Sequence, residues 1–198
     1  MSIHIQETPN PQTLKFIIEN SVILDGDTNI TFNNVNECYG APLAEQLLEI
    51  EGVISLFFSK DFISITKDNT SNWHHLKMLV KDIISDYIES GEPIFNSDVA
   101  VVSNDNSKTK NIQISDADNL DDEITKQIKE IIETMVRPAV AEDGGDIEFS
   151  EFKDGVVYVK LYGACYGCPS STITLKDGIE NMLKHYIPEV NEVVQVED

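Results

Sequence analysis

The residues of this chain best suited to chemistry are two cysteines near its C-terminal end, Cys165 and Cys168. They are two of only three cysteines in 198 residues. A Cys-x-x-Cys spacing brings two sulfur atoms close enough to hold one metal centre or to form one disulfide. An iron–sulfur cluster is usually held by four thiolates. One copy of this chain could therefore supply half of such a site.

The residues around the pair predict a strand-to-helix turn that favours thiolates. Pro169 suits the first position of a helix, so Cys168 is predicted to cap that helix. Its sulfur would then lie near unpaired backbone N–H groups and the positive end of the helix dipole, which favour thiolate over thiol. Gly163 and Gly167 make the turn flexible, and Gly167 leaves room beside the sulfurs for a bulky inorganic group.

Three chemistries remain open from the residues alone. A dithiol–disulfide oxidoreductase could use the pair, although such a motif usually follows the first strand of a βαβ unit. A structural zinc ion needs four ligands, and the further candidates show no finger-like spacing to the pair. A cluster shared by two copies of the chain would obtain four thiolates by symmetry. The further zinc candidates are Cys38, His4, His74, His75 and His185.

The C-terminal part is predicted to hold the elements that position the pair. An amphipathic helix runs from Leu120 to Val136, and Pro138 is expected to kink or end it. Two strands, 147–152 and 156–161, are joined by a hairpin turn at 153–155. The pair follows the second strand, and a helix and a closing strand near 190–196 complete the pattern.

The N-terminal part also mixes strands and helices. We predict a strand at 13–18, a short helix at 43–50 and a hairpin formed by 53–58 and 62–66. A long helix is predicted to follow. Its apolar face consists of Trp73, Leu76, Leu79, Val80, Ile83, Ile84 and Tyr87. The fold class is therefore α/β in the broad sense, more closely α+β, in two small domains.

A polar stretch separates the two parts. Between residues 97 and 118 Ser, Asn, Asp and Lys dominate, apart from a short apolar run at 99–102. Such a composition is typical of a flexible linker. The predicted organisation is an N-terminal domain at 1–96, a linker at 97–118 and a C-terminal domain at 119–198.

Composition and charge limit the classes of function. The net charge of −21 argues against binding to nucleic acid or to anionic membranes, both of which need basic patches. It would suit basic protein partners. Three cysteines and no apparent secretory signal indicate a reducing compartment. We expect a cytoplasmic, bacterial location, or the mitochondrial matrix if a presequence has been removed.

Several motifs give the chain a family resemblance. Arg137-Pro138, Asp143-Gly144-Gly145-Asp146 and the 163–171 segment resemble the NifU-like C-terminal domain, as do 174–180 and 188–190. The first half resembles the Nfu N-terminal domain through a series of short motifs: Thr8-Pro9-Asn10-Pro11, Leu14-Lys15-Phe16, Pro42-Leu43-Ala44, Gly52-Val53, Asp61-Phe62-Ile63, Trp73, Leu76-Lys77 and Pro93-Ile94.

The resemblance implies an Nfu-type iron–sulfur cluster carrier and not an enzyme. Such a protein holds a labile [4Fe–4S] cluster, with [2Fe–2S] as an alternative, between the cysteine pairs of two subunits. Cys165 and Cys168 are the implied ligands. The implied partners are a second copy of the chain when loaded, upstream cluster-assembly proteins and apo client proteins that receive the cluster. Sharing requires both thiols to lie where a second copy can reach them.

Overall fold

The computed structural model describes residues 2–19, 22–24, 28–96, 118–167 and 171–196, with the backbone alone at 118–122 and 171–175. The chain divides into two compact units, 1–103 and 104–198. The division falls inside the segment predicted as a linker. Each unit combines helices with a sheet, so the predicted α+β class is confirmed.

The N-terminal unit is a five-stranded antiparallel sheet with two α-helices. The strands lie in the order β1-β2-β5-β4-β3. Two of them, β1 and β3, were not predicted. In chain order the elements are β1 (Ile3–Glu7), β2 (Thr13–Ile18), β3 (Ile30–Phe32), a 3-10 turn (Val35–Glu37), α1 (Pro42–Leu48), β4 (Val53–Phe58), β5 (Phe62–Lys67) and α2 (Trp73–Ser90).

One face of this sheet, the inner face, packs against both helices. Successive strand residues point to opposite faces, so Phe16, Phe58 and Ile65 all lie on the inner face. They form one apolar cluster with buried residues of α1 and α2. Most of the predicted apolar face of α2 is confirmed, but Leu79 is 47% exposed. The core contacts of α2 are made by Leu76, Val80, Ile84 and Tyr87, at spacings of three or four residues.

The C-terminal unit places a helical segment and a second helix on a three-stranded sheet. Strand β7 lies in the centre, antiparallel to β6 and parallel to β8. The elements are α3 (Asp118–Ile131), a π-helical turn (Ile132–Val136), α4 (Arg137–Glu142), β6 (Gly145–Lys153), β7 (Val156–Gly163), α5 (Ser171–Tyr186) and β8 (Glu192–Gln195). The closing strand predicted near 190–196 is confirmed as β8.

The helical segment does not end at Pro138. Proline lacks the N–H that the preceding turn would bond, and its ring crowds that turn. The chain accommodates it with a π-helical turn, in which the N–H of Arg137 donates to the carbonyl of Ile132, five residues earlier. The helix then continues as α4 to Glu142. Pro138 therefore changes the pitch of the helix without terminating it.

The predicted hairpin between β6 and β7 is confirmed. Asp154 and Gly155 both have positive φ, of 52° and 81°, as a two-residue type I′ turn requires. Both strands run further than predicted, β6 from Gly145 and β7 to Gly163. The connection that leaves β7 carries Cys165 and leads into α5.

Candidate functional site

Cys165 lies in a tight turn at the end of β7. The N–H of Tyr166 donates to the carbonyl of Gly163 at 3.2 Å, and the N–H of Ala164 donates to the carbonyl of Gly144 at 3.1 Å. The second bond ties the turn to the residue just before β6. Gly163 and Gly167 have φ of 62° and 64°, a region that other residues rarely adopt. Two left-handed residues thus frame the cysteine.

The Cys165 side chain is buried in the structure. The residue is 3% exposed and belongs to the apolar cluster of the C-terminal unit. Its sulfur packs against Gly145 so closely that a Cβ atom added there would lie 2.7 Å from the Sγ atom and 2.6 Å from the carbonyl oxygen of Tyr162. Contacts that short do not occur in proteins, so any side chain at position 145 would displace the turn or the strand.

A ligand shared between two copies must be accessible to the second copy, and the buried Cys165 thiol of this structure is not. The thiol is covered, yet the neighbouring Tyr166 is 53% exposed and nothing lies within 4 Å of a Cβ added at Gly167. The turn is therefore at the surface although the sulfur faces inward. Binding of a shared cluster would require the turn between Gly163 and Gly167 to present this sulfur outward.

Cys168 and Pro169 lie outside the described residues. The prediction that Cys168 caps α5 and has a stabilised thiolate therefore stays a prediction. The described part of α5 begins at Ser171, shortly after the pair, as a strand-to-helix connection requires. The order strand, cysteine turn, helix agrees with the arrangement that the sequence predicted.

An ion pair fixes the start of β6 beneath the turn. The Arg137 guanidinium donates to both carboxylate oxygens of Asp146, from Nε at 2.8 Å and from a terminal nitrogen at 2.9 Å, and also to Glu133 at 2.7 Å. The Asp146 side chain is 7% exposed and that of Arg137 28%. The hydrogen bonds to Asp146, which outweigh desolvation, raise the pKa of Arg137 above its ordinary value. Arg137 therefore keeps its positive charge at any physiological pH.

The Asp143–Asp146 motif carries the family resemblance in the sequence, but the roles of its residues become visible only in the structure. Gly145 admits the cysteine sulfur, and Asp146 anchors the strand to Arg137. Adjacent glycines followed by an acidic residue at the start of a strand are a signal for close backbone approach. The partner of the acid could not be read from the sequence, because Arg137 and Asp146 lie on different elements.

In the part of the chain that the structure describes, the other candidate zinc ligands do not form a metal site with the cysteine turn. Within that part of the chain, no three His, Cys, Asp or Glu side chains converge on a point that could hold a metal ion. His4 pairs with Glu19 at 2.8 Å, and the rings of His74 and His75 contact each other edge to face. His185 contacts the ring of Tyr186.

Cys38 is a buried thiol of the N-terminal core. It is 3% exposed and its Sγ atom donates to the carbonyl of Asn34 at 3.6 Å. Burial, followed by the nearby carboxylates of Glu37 and Glu45, raises the pKa of Cys38 to about 11. This thiol is therefore protonated and poorly nucleophilic near neutral pH, as is usual for a cysteine that packs as a small apolar residue in a core.

Comparison with known proteins covers both units. Residues 3–91 match the family described as "Scaffold protein Nfu/NifU N terminal", and residues 128–194 match the NifU-like domain. No helix in the described ranges is both long and apolar enough to cross a membrane.

Relatives match over essentially the entire chain. The NFU1 iron-sulfur cluster scaffold homolog, mitochondrial, of Homo sapiens is 43% identical over 199 residues, which are all of this chain and 73% of the relative. The protein of that name in Drosophila ananassae is 42% identical over 198 residues, all of this chain and 65% of the relative. NifU-like protein 4, mitochondrial, of Arabidopsis thaliana is 41% identical, over 98% of this chain and 66% of the relative. The chain thus spans about two-thirds of the length of several relatives. With an Nfu-type first unit, a NifU-like second unit and these relatives, the chain belongs to the Nfu/NifU-like protein family.

Proposed function

We propose that this chain carries an iron–sulfur cluster, held by Cys165 and Cys168, and delivers it to apo-proteins. The observation that carries the proposal is the Cys-x-x-Cys pair on the connection between β7 and α5, in a chain whose relatives are named as iron–sulfur cluster scaffolds. Thiolates are the ligands that such clusters take from proteins. The cluster is cargo in this proposal, and the chain needs no catalytic residue of its own.

The number of sulfur donors supports sharing between two copies. A [4Fe–4S] cluster takes four thiolates. The third cysteine, Cys38, is buried in the core of the other unit and protonated near neutral pH. Two copies that each contribute Cys165 and Cys168 complete the set without another residue type. Loading therefore creates a homodimer in this proposal.

Presentation of Cys165 is the step that the geometry demands. Its sulfur lies against Gly145 and must leave that contact before it can ligate a shared cluster. The residues that would absorb the motion are the left-handed glycines 163 and 167 at either end of the turn. Strand β6 is held by the ion pair between Arg137 and Asp146, so the turn can move without loss of the sheet beneath it.

Delivery follows from the small number of ligands in each chain. Two thiolates per subunit can be replaced one at a time by cysteines of a client protein, and separation of the two subunits removes half of the ligands at once. A site with all four ligands in one chain lacks this second route. This difference suits a carrier better than a permanent electron-transfer site.

The experiment that tests the proposal is anaerobic reconstitution of the full chain with iron and sulfide, followed by sedimentation. A shared [4Fe–4S] cluster gives about two irons and two sulfides per chain in a dimer, whereas a shared [2Fe–2S] cluster gives about one of each. A loaded monomer would contradict sharing. Failure to bind iron, together with reduction of insulin disulfides, would favour the oxidoreductase alternative, which the comparisons do not favour.

Transfer and location complete the proposal. The loaded dimer is expected to activate an apo-protein that needs a [4Fe–4S] cluster, faster than free iron and sulfide do. The upstream assembly proteins that load it are proposed partners too. The relatives reported above are named as mitochondrial proteins, and a cytoplasmic location for this chain stays a prediction.

A further inference from the structure

The turn that carries Cys165 also carries a large side chain that the single chain leaves exposed. Tyr166 follows Cys165 and is 53% exposed. Its backbone N–H closes the turn by donating to the carbonyl of Gly163 at 3.2 Å. Beyond it, a Cβ atom added at Gly167 would meet nothing within 4 Å. The turn therefore uses the backbone of Tyr166, while the rest of the residue lies at an open surface.

Few large apolar side chains are exposed in the C-terminal unit. Among its described residues they are Met135, Tyr166 and Tyr186, with exposures of 40%, 53% and 51%. Met135 lies in the π-helical turn, and Tyr186 is the last residue of α5. The helix rises by ~22 Å between Ser171 and Tyr186, so Tyr186 lies at the end of α5 that is far from the cysteine turn. Tyr166 is thus the exposed aromatic residue of the candidate site itself.

The proposed cluster site brings Tyr166 towards a second copy of the chain. Consecutive Cα atoms lie ~3.8 Å apart, so Tyr166 stays beside Cys165 in any conformation of the turn. In the proposed dimer both copies bind one cluster through this cysteine, so their turns face each other across it. A two-fold interface uses the same patch on both subunits. The side chain next to the ligand is then part of that interface, once on each side.

The charge of the dimer favours a neutral, apolar contact at this place. Each chain has a net charge of −21, so two copies repel each other. Four thiolates around one cluster add negative charge between them. A tyrosine ring supplies apolar contact area without charge, and tyrosine is enriched among the residues that dominate binding free energy at protein interfaces. An exposed tyrosine beside the ligand is therefore suited to hold the two turns together.

We propose that Tyr166 of each subunit packs against the partner subunit beside the shared cluster and slows the loss of that cluster. The contact must break before the subunits separate, so this side chain sets how readily the cargo leaves. This inference rests on the proposed function, since a shared cluster is what brings the two turns together. It adds to the carrier site a residue that is not itself a ligand.

Chemical labelling of the unaltered full chain tests whether loading covers Tyr166. N-acetylimidazole acetylates accessible tyrosine hydroxyl groups; it is applied without oxygen to the apo chain and to the reconstituted chain, and peptide mass spectrometry follows each site. We expect both Tyr166 and Tyr186 to react in the apo chain. Loading should slow the acetylation of Tyr166 severalfold and leave that of Tyr186 unchanged. Equal rates at Tyr166 in the two forms would overturn the proposal.

Substitutions measure what the contact contributes. Tyr166→Ala removes the ring, Tyr166→Phe keeps it, and Tyr186→Ala is a control of nearly equal exposure. All three variants should bind as much iron and sulfide as the parent, because no ligand is changed. In excess iron chelator, the visible absorption of loaded Tyr166→Ala should decay at least about fivefold faster than that of the parent, as expected when a strong interface residue is truncated. Tyr166→Phe and Tyr186→Ala should decay at the parent rate.

The outcomes separate this inference from the proposed function. If the parent loads as a dimer and Tyr166→Ala loses its cluster at the parent rate, only the role of Tyr166 is overturned. Equal acceleration in Tyr186→Ala also overturns that role, because the effect would not belong to the turn. A parent chain that binds no cluster, or binds one as a monomer, overturns both. If urea denaturation shows that apo Tyr166→Ala is destabilised, acetylation of the unaltered chain decides.

Discussion

Each unit buries one cysteine among its described residues, and the two cysteines differ in everything except burial. Cys38 and Cys165 are both 3% exposed. Cys38 follows a 3-10 turn, and its burial, with a smaller effect from two nearby carboxylates, keeps it protonated. Cys165 lies between two left-handed glycines, against a third glycine and beside a half-exposed tyrosine. Burial therefore does not separate the two thiols, whereas the glycines around Cys165 and the carboxylates near Cys38 do.

The largest expected difference is in cluster binding. Cys165→Ser or Cys168→Ser should abolish bound iron and sulfide after anaerobic reconstitution, because each removes half of the thiolates that a chain contributes. Cys38→Ser should bind as much as the parent. Iron and sulfide analysis with visible absorption measures this. Full loading of either of the first two variants would remove the contrast between the two cysteines.

The next largest effect is on the stability of the start of β6, where the ion pair between Arg137 and Asp146 lies near Cys165. Arg137→Ala leaves the nearly buried Asp146 carboxylate without its bidentate partner, and we expect the free energy of unfolding to fall by about 3 kcal/mol. Urea denaturation of the apo chain measures it. Lys184→Ala is the control, since it breaks an exposed ion pair with Glu180 on the surface of α5 and should cost less than about 0.5 kcal/mol. Equal losses would show that the Arg137 pair has no special role.

Gly145→Ala should cost about 1–3 kcal/mol, because the new methyl group would overlap the Cys165 sulfur and the Tyr162 carbonyl. The same change should raise the alkylation rate of Cys165 by pushing its sulfur outward. Gly178→Ala is the matched control within α5, where an added Cβ meets nothing within 4 Å and alanine should stabilise the helix by about 0.5–1 kcal/mol. If Gly145→Ala leaves both stability and alkylation unchanged, the close packing of Cys165 is wrong.

The smallest expected effect is the contribution of Cys38 to the pH dependence of stability. Its pKa rises from 9.0 to about 11 on folding, so the folded chain keeps a proton that the unfolded chain releases. The associated stability is complete below pH 9 and is lost as pH rises from 9 to 11. Between pH 8 and pH 10 the parent should lose about 1 kcal/mol more than Cys38→Ala does. Chemical denaturation at the two pH values measures this, and parallel losses would contradict the raised pKa.

The sequence predicted elements with strong local signals. The β6–β7 hairpin has Asp154-Gly155 at its turn, and helix α2 has a clear apolar period. It did not predict β1, whose residues His4 and Gln6 are exposed and weaken its apolar character, or β3, which has only three residues. These strands form because they pair with the neighbouring strands β2 and β4. The local sequence of a segment does not identify the strand with which it pairs.

For the site, spacing predicted the turn and its place between a strand and a helix. It could not predict that Cys165 faces inward. That orientation depends on Gly145, twenty residues earlier, which lies opposite Gly163 in the sheet register. Likewise, the partner of Asp146 is a residue of α4. Contacts between elements decide both features: the register of β6 on β7 sets the first, and the packing of α4 beside β6 sets the second.

The π-helical turn before Pro138 helps to keep a row of buried residues on one side of the helical segment formed by α3 and α4. Its buried residues recur at every fourth position, and in an ideal α-helix each such step overshoots a full turn by about 40°, or about 160° over four steps. A wider turn absorbs one residue and so cancels part of that rotation. Deletion of a single residue from this turn would restore an ordinary α-helical turn and leave α4 close to its present orientation, whereas deletion of a residue from the regular part of α3 would rotate Arg137 and α4 by about 100° relative to the residues before the deletion. The row consists of Ile124, Ile128, Ile132, Val136 and Val140.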